Sequence, residues 1–352
     1  MKKSRNLMLV VLLGLTLILS ACVPGPRVTG APGISLSDEM VFVAFGNFVY
    51  GLNPSSGAVL WHYPEDRDNQ VVFYSQPLVS EDYVYVGDLA NNFHKLNIQT
   101  GYAEWTFTDA DGFYIGQAAE ENGNVYAPNN DGRLYALDEN GDLLWAFETG
   151  HFIWAQPQIS MDAIFIGSMD HYVYAISKNG DPLWSVEMTG AVVGSQLLNE
   201  DGTILYVGTI GEEMVALDTT NGDVIWRIET GASVWGRPIL VDESLYFSDS
   251  SGNIYALNAN TGDVDWQAEV FGSVTGGLTA LEDGFVVATE EGLIKAYDFD
   301  GNPKWEATLE GEILQAPAVN DELIVAGTME GDNLIYGFSL SGVQLWSTTP
   351  EN

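Results

Sequence analysis

The chain has 352 residues, and its 49 acidic and 12 basic side chains give a formal charge of −37 at pH 7. This charge argues against a nucleic-acid partner, which requires a basic surface, and against broad contact with anionic lipid. Hydrophobic residues make up 46% of the chain, enough to build a large core.

The amino terminus has the pattern of a secretory targeting segment. A basic stretch at residues 2–5 precedes an apolar run, residues 7–19, that is too short to span a membrane stably. The run ends in L-S-A-C at residues 19–22, which resembles the lipobox of bacterial lipoproteins. That resemblance implies a lipoprotein signal peptide over residues 1–21 and a lipid attached to Cys22. The alternative is an ordinary cleaved signal followed by an incidental cysteine.

Residues 22–32 are interpreted as the lipidated Cys22 followed by a short Pro/Gly linker that keeps the folded body close to the membrane. Cys22 is the only cysteine, so no disulfide framework or second thiol is available. Without the three basic residues of the signal peptide, nine basic residues remain against 49 acidic ones, a charge of −40. Val23 replaces the Asp that marks inner-membrane retention in lipoproteins. We therefore expect a location in the cell envelope outside the cytoplasmic membrane, and in the outer membrane if the host has one.

One tryptophan recurs along the rest of the chain at intervals of 39 to 44 residues. The eight positions are Trp61, Trp105, Trp145, Trp184, Trp226, Trp266, Trp305 and Trp346. A fixed period of about forty residues is typical of a propeller or a solenoid. The chain therefore consists of one unit used eight times.

Each unit contains four short runs rich in aromatic and β-branched residues, separated by Gly, Asn and Asp. The first two units place these runs at residues 34–36, 40–44, 48–52, 59–63, 77–79, 83–87, 93–97 and 103–107. Such runs with turn residues between them predict antiparallel strands. Four strands in each of eight units predict an all-β fold, an eight-bladed β-propeller of four-stranded antiparallel blades over residues 33–349.

The repeated tryptophans are interpreted as structural docking residues. One large ring per blade can fill the gap that widens between blades away from the axis. Near the axis there is little space between the blades, and small residues occupy one aligned position of the repeat there, which we call the small-residue column. It consists of Ser75, Gly116, Ala155, Gly194, Gly236 and Gly276.

The turn before the tryptophan carries a family resemblance. The pattern A-x-[DN]-x-x-[TN]-G-x-x-x-W is complete at residues 216–226 and 256–266. It resembles the tryptophan-docking repeat of the pyrroloquinoline-quinone (PQQ)-type propellers, over residues 33–349. The lipobox, short linker and eight blades without insertions resemble most the BamB-type outer-membrane assembly lipoproteins. This resemblance implies a non-catalytic scaffold with protein partners at the cell envelope, acting in outer-membrane protein assembly if the host has an outer membrane.

An enzymatic function is not expected. Quinone dehydrogenases with PQQ-type propellers use a vicinal cysteine pair and a calcium site, and the single cysteine cannot supply that pair. Four histidines, His62, His94, His151 and His171, lack metal-binding spacing and are predicted to lie on the surface or the rim. We therefore expect no quinone or other cofactor and no catalytic residue.

Acidic turns at residues 109–112, 138–142 and 298–302 leave calcium open as an alternative. Calcium needs six to eight oxygen ligands, whereas Asp-Gly and Asn-Gly are also the residues that tight hairpins require. Hairpin turns are the preferred interpretation, so no metal site is expected.

Two tryptophans fall outside the docking set and suggest a partner-binding site. Trp154 and Trp235 each lie just before the innermost strand of a blade, and Tyr74 occupies the same column. Phe152 lies close to Trp154, and Arg237 lies close to Trp235. Buried aromatic residues and arginine dominate binding hot spots. The sequence therefore predicts that a partner docks on this face; packing of the rings between blades is the alternative.

Two other functions remain open from the sequence. One is an extracellular binding or sensing propeller for a small molecule, glycan or cation in a one-membrane bacterium. The other is a PQQ-dependent dehydrogenase, which the missing cysteine pair disfavours.

Overall fold

Thirty-two strands make up the fold, and no helix occurs in residues 30–350, the part of the chain that the computed structural model describes. Cys22, the predicted signal peptide and the linker as far as residue 29 lie outside the described residues. Within residues 30–350, no helix has the length and apolar composition needed to cross a bilayer.

The strands of the first four blades follow one another in chain order. They are β1 (Gly33–Leu36), β2 (Val41–Phe45), β3 (Phe48–Leu52), β4 (Val59–Tyr63), β5 (Leu78–Val79), β6 (Tyr83–Gly87), β7 (Phe93–Asn97), β8 (Ala103–Phe107), β9 (Ala119–Glu121), β10 (Asn124–Pro128), β11 (Arg133–Leu137), β12 (Leu143–Glu148), β13 (Gln158–Ile159), β14 (Ala163–Gly167), β15 (Tyr172–Ser177) and β16 (Pro182–Glu187).

The second half of the chain repeats the arrangement. Its strands are β17 (Leu197–Leu198), β18 (Ile204–Thr209), β19 (Glu213–Asp218), β20 (Val224–Glu229), β21 (Ile239–Val241), β22 (Ser244–Ser248), β23 (Asn253–Asn258), β24 (Val264–Glu269), β25 (Leu278–Leu281), β26 (Gly284–Ala288), β27 (Leu293–Tyr297), β28 (Pro303–Thr308), β29 (Ala318–Val319), β30 (Leu323–Gly327), β31 (Ile335–Ser339) and β32 (Gln344–Thr348).

The strands form eight separate four-stranded sheets, and each strand pairs with its neighbours in sequence. Every pairing between named strands is antiparallel, as in β22 against β23, where Ser244 pairs with Asn258. The prediction of an eight-bladed propeller of four-stranded antiparallel blades is confirmed.

Burial shows how each blade is oriented about the axis. The fourth strand of a blade, such as β12 or β24, alternates between exposed and partly buried positions, as an outer edge strand does. Second strands such as β14 are buried along their whole length. The apolar clusters lie between blades: one joins Tyr206 and Met214 of the fifth blade to Leu245 and Phe247 of the sixth. The core is therefore a ring of inter-blade contacts rather than a single centre.

Each repeated tryptophan bonds to the next blade. The indole Nε1 donates to a backbone carbonyl at 2.7–3.1 Å in all eight cases. A glycine of the same turn lies against the ring; at Gly262 (φ +74°) an added Cβ would lie 2.8 Å from Trp226. The turn therefore requires glycine both for its backbone conformation and for space.

The ring closes by the same contact. Trp346 of the last blade donates to the carbonyl of Pro54 in the first blade at 2.7 Å. Asn320 adds a side-chain hydrogen bond to the carbonyl of Ser37 at 3.1 Å. Because each sheet comes from one continuous segment, no strand is exchanged between the ends of residues 30–350.

The expectation that all histidines lie on the surface or rim is wrong for His94. This side chain is only 4% exposed. Its Nε2 lies 3.0 Å from Asp88 Oδ2, and its Nδ1 lies 3.1 Å from the hydroxyl oxygens of Tyr63 and Thr106. A buried histidine needs partners for both ring nitrogens, and this cluster supplies them.

Asp88, the acidic member of this cluster, is fully buried. Burial alone raises the pKa of its carboxyl, but hydrogen bonds from His94 and Asn92 outweigh burial and hold the pKa below its usual value. The carboxylate also accepts the backbone N–H of Ala90 at 2.8 Å. Asp88 is therefore ionised at neutral pH and fixes the hairpin between β6 and β7.

Two of the three acidic turns use their carboxylates within the turn, whereas Asp111 of the turn at residues 109–112 forms an ion pair with Arg133. Asp298 Oδ1 accepts the backbone N–H groups of Asp300 and Asn302 at 3.0 and 2.7 Å. Asp138 Oδ1 does the same in its own turn. No group of three or more His, Cys, Asp or Glu side chains in residues 30–350 could hold a metal ion.

Candidate functional site

The segments that lead into the first strands of the blades pack closely against one another around the axis. An added Cβ at Gly236 would lie 2.1 Å from the Cα of Gly277, and one at Gly276 would lie 2.1 Å from the backbone nitrogen of Ala316. At Gly194 it would lie 2.1 Å from the carbonyl oxygen of Trp235. The small-residue column of the sequence is thus where neighbouring blades touch.

A cavity of about 550 Å³ lies on the axis, and all eight blades contribute to its wall. Three glutamines of the wall tie neighbouring blades together. Nε2 of Gln76, Gln117 and Gln156 donates to a backbone carbonyl of the preceding blade at 2.9, 2.9 and 3.1 Å. We did not predict these glutamines from the sequence, although each directly follows a residue of the small-residue column.

Trp154, Trp235 and Arg237 all line this cavity. Trp235 is 38% exposed, which is unusual for so large an apolar side chain. Water reaches Arg237 from the cavity, yet surrounding protein atoms desolvate the guanidinium and lower its pKa from the usual value. The structure therefore brings these three predicted residues to one place.

Trp154 is held more firmly than Trp235. Its Nε1 donates to Asn130 Oδ1 at 3.0 Å. Its ring stacks on Phe152 with 6.4 Å between centroids and 17° between planes. Phe152 is partly buried and is not part of the cavity wall, so it contributes to the site by packing against the ring of Trp154.

Tyr74 lies apart from the other four residues. It is not part of the cavity wall, and its ring packs so closely on Gly30 that an added Cβ there would lie 2.1 Å from Cζ. Burial raises the pKa of its hydroxyl.

The loops that carry these residues share one end of the propeller, which we call the loop face. It consists of the loops from the fourth strand of one blade to the first strand of the next, and of the loops between second and third strands. Backbone hydrogen bonds join the two sets, as from Met169 to Phe152 and from Asn130 to Phe113, both at 2.9 Å. Phe271 also belongs to this face and is 78% exposed, more than any predicted anchor, yet a lone loop phenylalanine gives no sequence signal.

Acidic side chains dominate the loop face around these aromatics. Asp131, Asp170, Glu212, Glu291 and Glu330 all lie in its loops between second and third strands. Such a surface attracts basic segments and repels acidic ones. The face thus combines exposed aromatic rings with a negative field.

Comparison with known protein families matches the family described as outer membrane protein assembly factor BamB to residues 22–149, 169–272 and 269–352. The chain belongs to this family. A curated BamB from Nitrosomonas eutropha is 28% identical over 139 residues, covering 38% of this chain and 34% of the relative. Another from Alteromonas naphthalenivorans is 32% identical over 122 residues, covering 34% and 24%. The matched part spans about a third and a quarter of these BamB proteins.

Solved structures agree with the fold. BamB from Moraxella catarrhalis superposes with a TM-score of 0.75 at 17% identity, covering 87% of this chain and 96% of that one. The computationally designed Ika8 protein gives 0.77 at 16% identity, covering 89% and 97%. Because a BamB and a designed protein match equally well, the likeness at this identity reports the fold alone.

Proposed function

We propose that this protein is a non-catalytic, lipid-anchored scaffold of the cell envelope that binds protein partners through its loop face. In a host with an outer membrane, its role would be in outer-membrane protein assembly, as the names of its relatives indicate. The observation that carries the proposal is the exposure of Trp235 and Phe271 on a face that is otherwise acidic.

The chemistry of the loop face favours a protein partner. Large aromatic rings give the most binding energy where they fill pockets of a partner, and the polar groups around them exclude water. The acidic loops would select a partner segment that carries Lys or Arg and would speed its approach. Phe152 would support the site by stacking on Trp154, and Tyr74, which lies apart from the other residues, would contribute least to it.

Membrane attachment is proposed to depend on Cys22. Replacing Cys22 by Ser should move the protein from the membrane to the soluble fraction, because two or three acyl chains supply essentially all of the membrane affinity at about 0.8 kcal/mol per buried methylene. The measurement is fractionation of cells expressing either form, with the melting temperature as a control for folding. Retention of the variant in washed membranes at high salt would contradict a lipid anchor.

Partner binding is proposed to depend on Trp235 and Trp154. The double substitution Trp235→Ala/Trp154→Ala should reduce capture of envelope proteins from the native membrane at least tenfold, since each hot-spot ring contributes 2 kcal/mol or more. Captured proteins would be quantified by mass spectrometry.

The control is Met161→Ala. Met161 is 90% exposed in the turn between β13 and β14, at the end opposite the loop face. The Met161→Ala substitution should leave both partner capture and stability unchanged. Undiminished capture by the double variant would remove the loop face as the docking surface.

A further inference from the structure

The axial cavity differs in charge from the rest of the protein. Of its lining residues, Arg237 alone has an ionisable side chain. The chain carries 49 acidic residues, and none of those in residues 30–350 lines the cavity. A protein with a formal charge of −37 thus surrounds a cavity whose only fixed charge is positive.

Arg237 is also the exception among the basic side chains of residues 30–350. Its guanidinium has no hydrogen bond or ion pair with any described residue. The other seven all have a polar partner: Arg67, Lys95, Arg133, Lys178, Arg227, Lys295 and Lys304. The side chain of Arg237 is exposed, so its five donors are free to bind a ligand in the cavity.

The fold does not need arginine at this position. Gln76 and Gln156 take the corresponding place in their blades, in S-Q-P and A-Q-P, where Arg237 stands in G-R-P. Those glutamines join neighbouring blades through their amides. The backbone of Arg237 instead makes a parallel bridge to Gly277, and its side chain remains available to the cavity.

Part of the cavity wall is apolar. Trp154 and Trp235 line the cavity together with aliphatic side chains from several blades, among them Val193, Leu278 and Leu314. The next blade has the glycine pair Gly276–Gly277 at the corresponding place, and Gly277 packs directly against the backbone of Gly236 and Arg237. A volume of about 550 Å³ is in the range of small-molecule sites.

We infer that the axial cavity binds a monocarboxylate with an apolar body, whose carboxylate pairs with the guanidinium of Arg237. The planar guanidinium matches a carboxylate through two parallel hydrogen bonds. One cation compensates one negative charge, and the acidic protein around it disfavours anions of higher charge. The carboxylate could belong to a free small acid or to the end of a short peptide, because the recognised chemistry is the same.

The test titrates the full-length protein in detergent with phenylacetate, followed by calorimetry and by tryptophan fluorescence. We expect saturable binding at one site, and binding at least tenfold weaker for phenylacetamide and for the dicarboxylate succinate. The tripeptide Ala-Ala-Phe with a free or an amidated carboxyl terminus then distinguishes a peptide end from a free acid. Absence of saturable binding by both phenylacetate and the free peptide, or equal binding of acid and amide, would overturn the inference.

Two arginine variants test the residue itself. Arg237→Gln should weaken phenylacetate binding at least tenfold while leaving the melting temperature unchanged. Arg67→Gln removes the same charge from an exposed arginine outside the cavity, and it should change the affinity for phenylacetate less than twofold. Equal weakening of phenylacetate binding by the two variants would show that the overall charge of the protein, and not Arg237, governs binding. That result would contradict the inference. The acid–amide comparison in the unaltered protein decides the question even if Arg237→Gln fails to fold.

This inference is separate from the proposed docking of a partner. Undiminished partner capture by Trp235→Ala/Trp154→Ala, with saturable phenylacetate binding by the unaltered protein, would contradict the docking surface alone. Reduced capture by the double variant, with no saturable binding of phenylacetate or the free peptide by the unaltered protein, would contradict the carboxylate site alone.

Discussion

Replacing Trp226 by Ala should lower the free energy of unfolding by about 3–5 kcal/mol, because removal of a buried aromatic ring leaves a cavity that neighbouring atoms fill only partly. Trp226 is 8% exposed and packs against the turn glycine Gly262. Its Nε1 donates to the carbonyl of Ala259 at 2.8 Å, so the substitution also leaves a buried acceptor unpaired. The whole contact between the fifth and sixth blades is weakened at once.

The measurement is urea unfolding of purified protein, with Trp235→Ala as the matched control. Trp235 is 38% exposed, so its substitution should cost well under 1 kcal/mol. Similar losses for both variants would show that position in the repeat does not separate docking rings from surface rings.

Replacing Asp88 by Ala should cost about 3–5 kcal/mol at neutral pH, since it removes one partner of a buried charged cluster and leaves the others unpaired. The carboxylate is fully buried and accepts hydrogen bonds from His94, Asn92 and the backbone of Ala90. An exposed control, Asp162→Ala in the turn before β14, should change stability by less than 0.5 kcal/mol.

The contribution of Asp88 should depend on pH in one direction. Its pKa in the folded protein lies below the unfolded value of about 3.9, so the unfolded chain takes up a proton first as the pH falls. Stability from this group is complete above about pH 4 and is lost as the pH falls through the folded pKa. The difference in unfolding free energy between the protein and Asp88→Ala should therefore narrow from pH 7 to pH 3. A difference that stays constant or grows in acid would contradict an ionised Asp88.

The architecture was predictable because it is repeated. Eight tryptophans at a regular spacing, each preceded by a turn glycine, indicate both the number of blades and the contact that joins them. Strands such as Phe48–Leu52 and Phe93–Asn97 match the predicted runs residue for residue, since turn residues bound them on both sides. Local sequence and global packing therefore agree across the chain.

The site was less predictable because it depends on which blades become neighbours. His94 is buried where Tyr63 of the first blade approaches it, while Asp88 of its own hairpin bonds to its other ring nitrogen. Arg237 is unpaired because no carboxylate lines the axial cavity, which a linear sequence cannot show. The sequence did indicate Trp154 and Trp235, since both fall outside the eight repeated positions. It does not show that Asn130 of the neighbouring loop holds Trp154 by a hydrogen bond.

Photocross-linking in the native membrane tests most directly whether partners dock on the loop face. A photoreactive phenylalanine analogue is placed at Trp235 or Phe271 on the loop face, or at Met161 on the opposite end, and adducts are identified by mass spectrometry. We expect adducts with envelope proteins from the first two positions and none from Met161. Adducts from Met161 without any from the loop face would contradict a scaffold that docks its partners through that face.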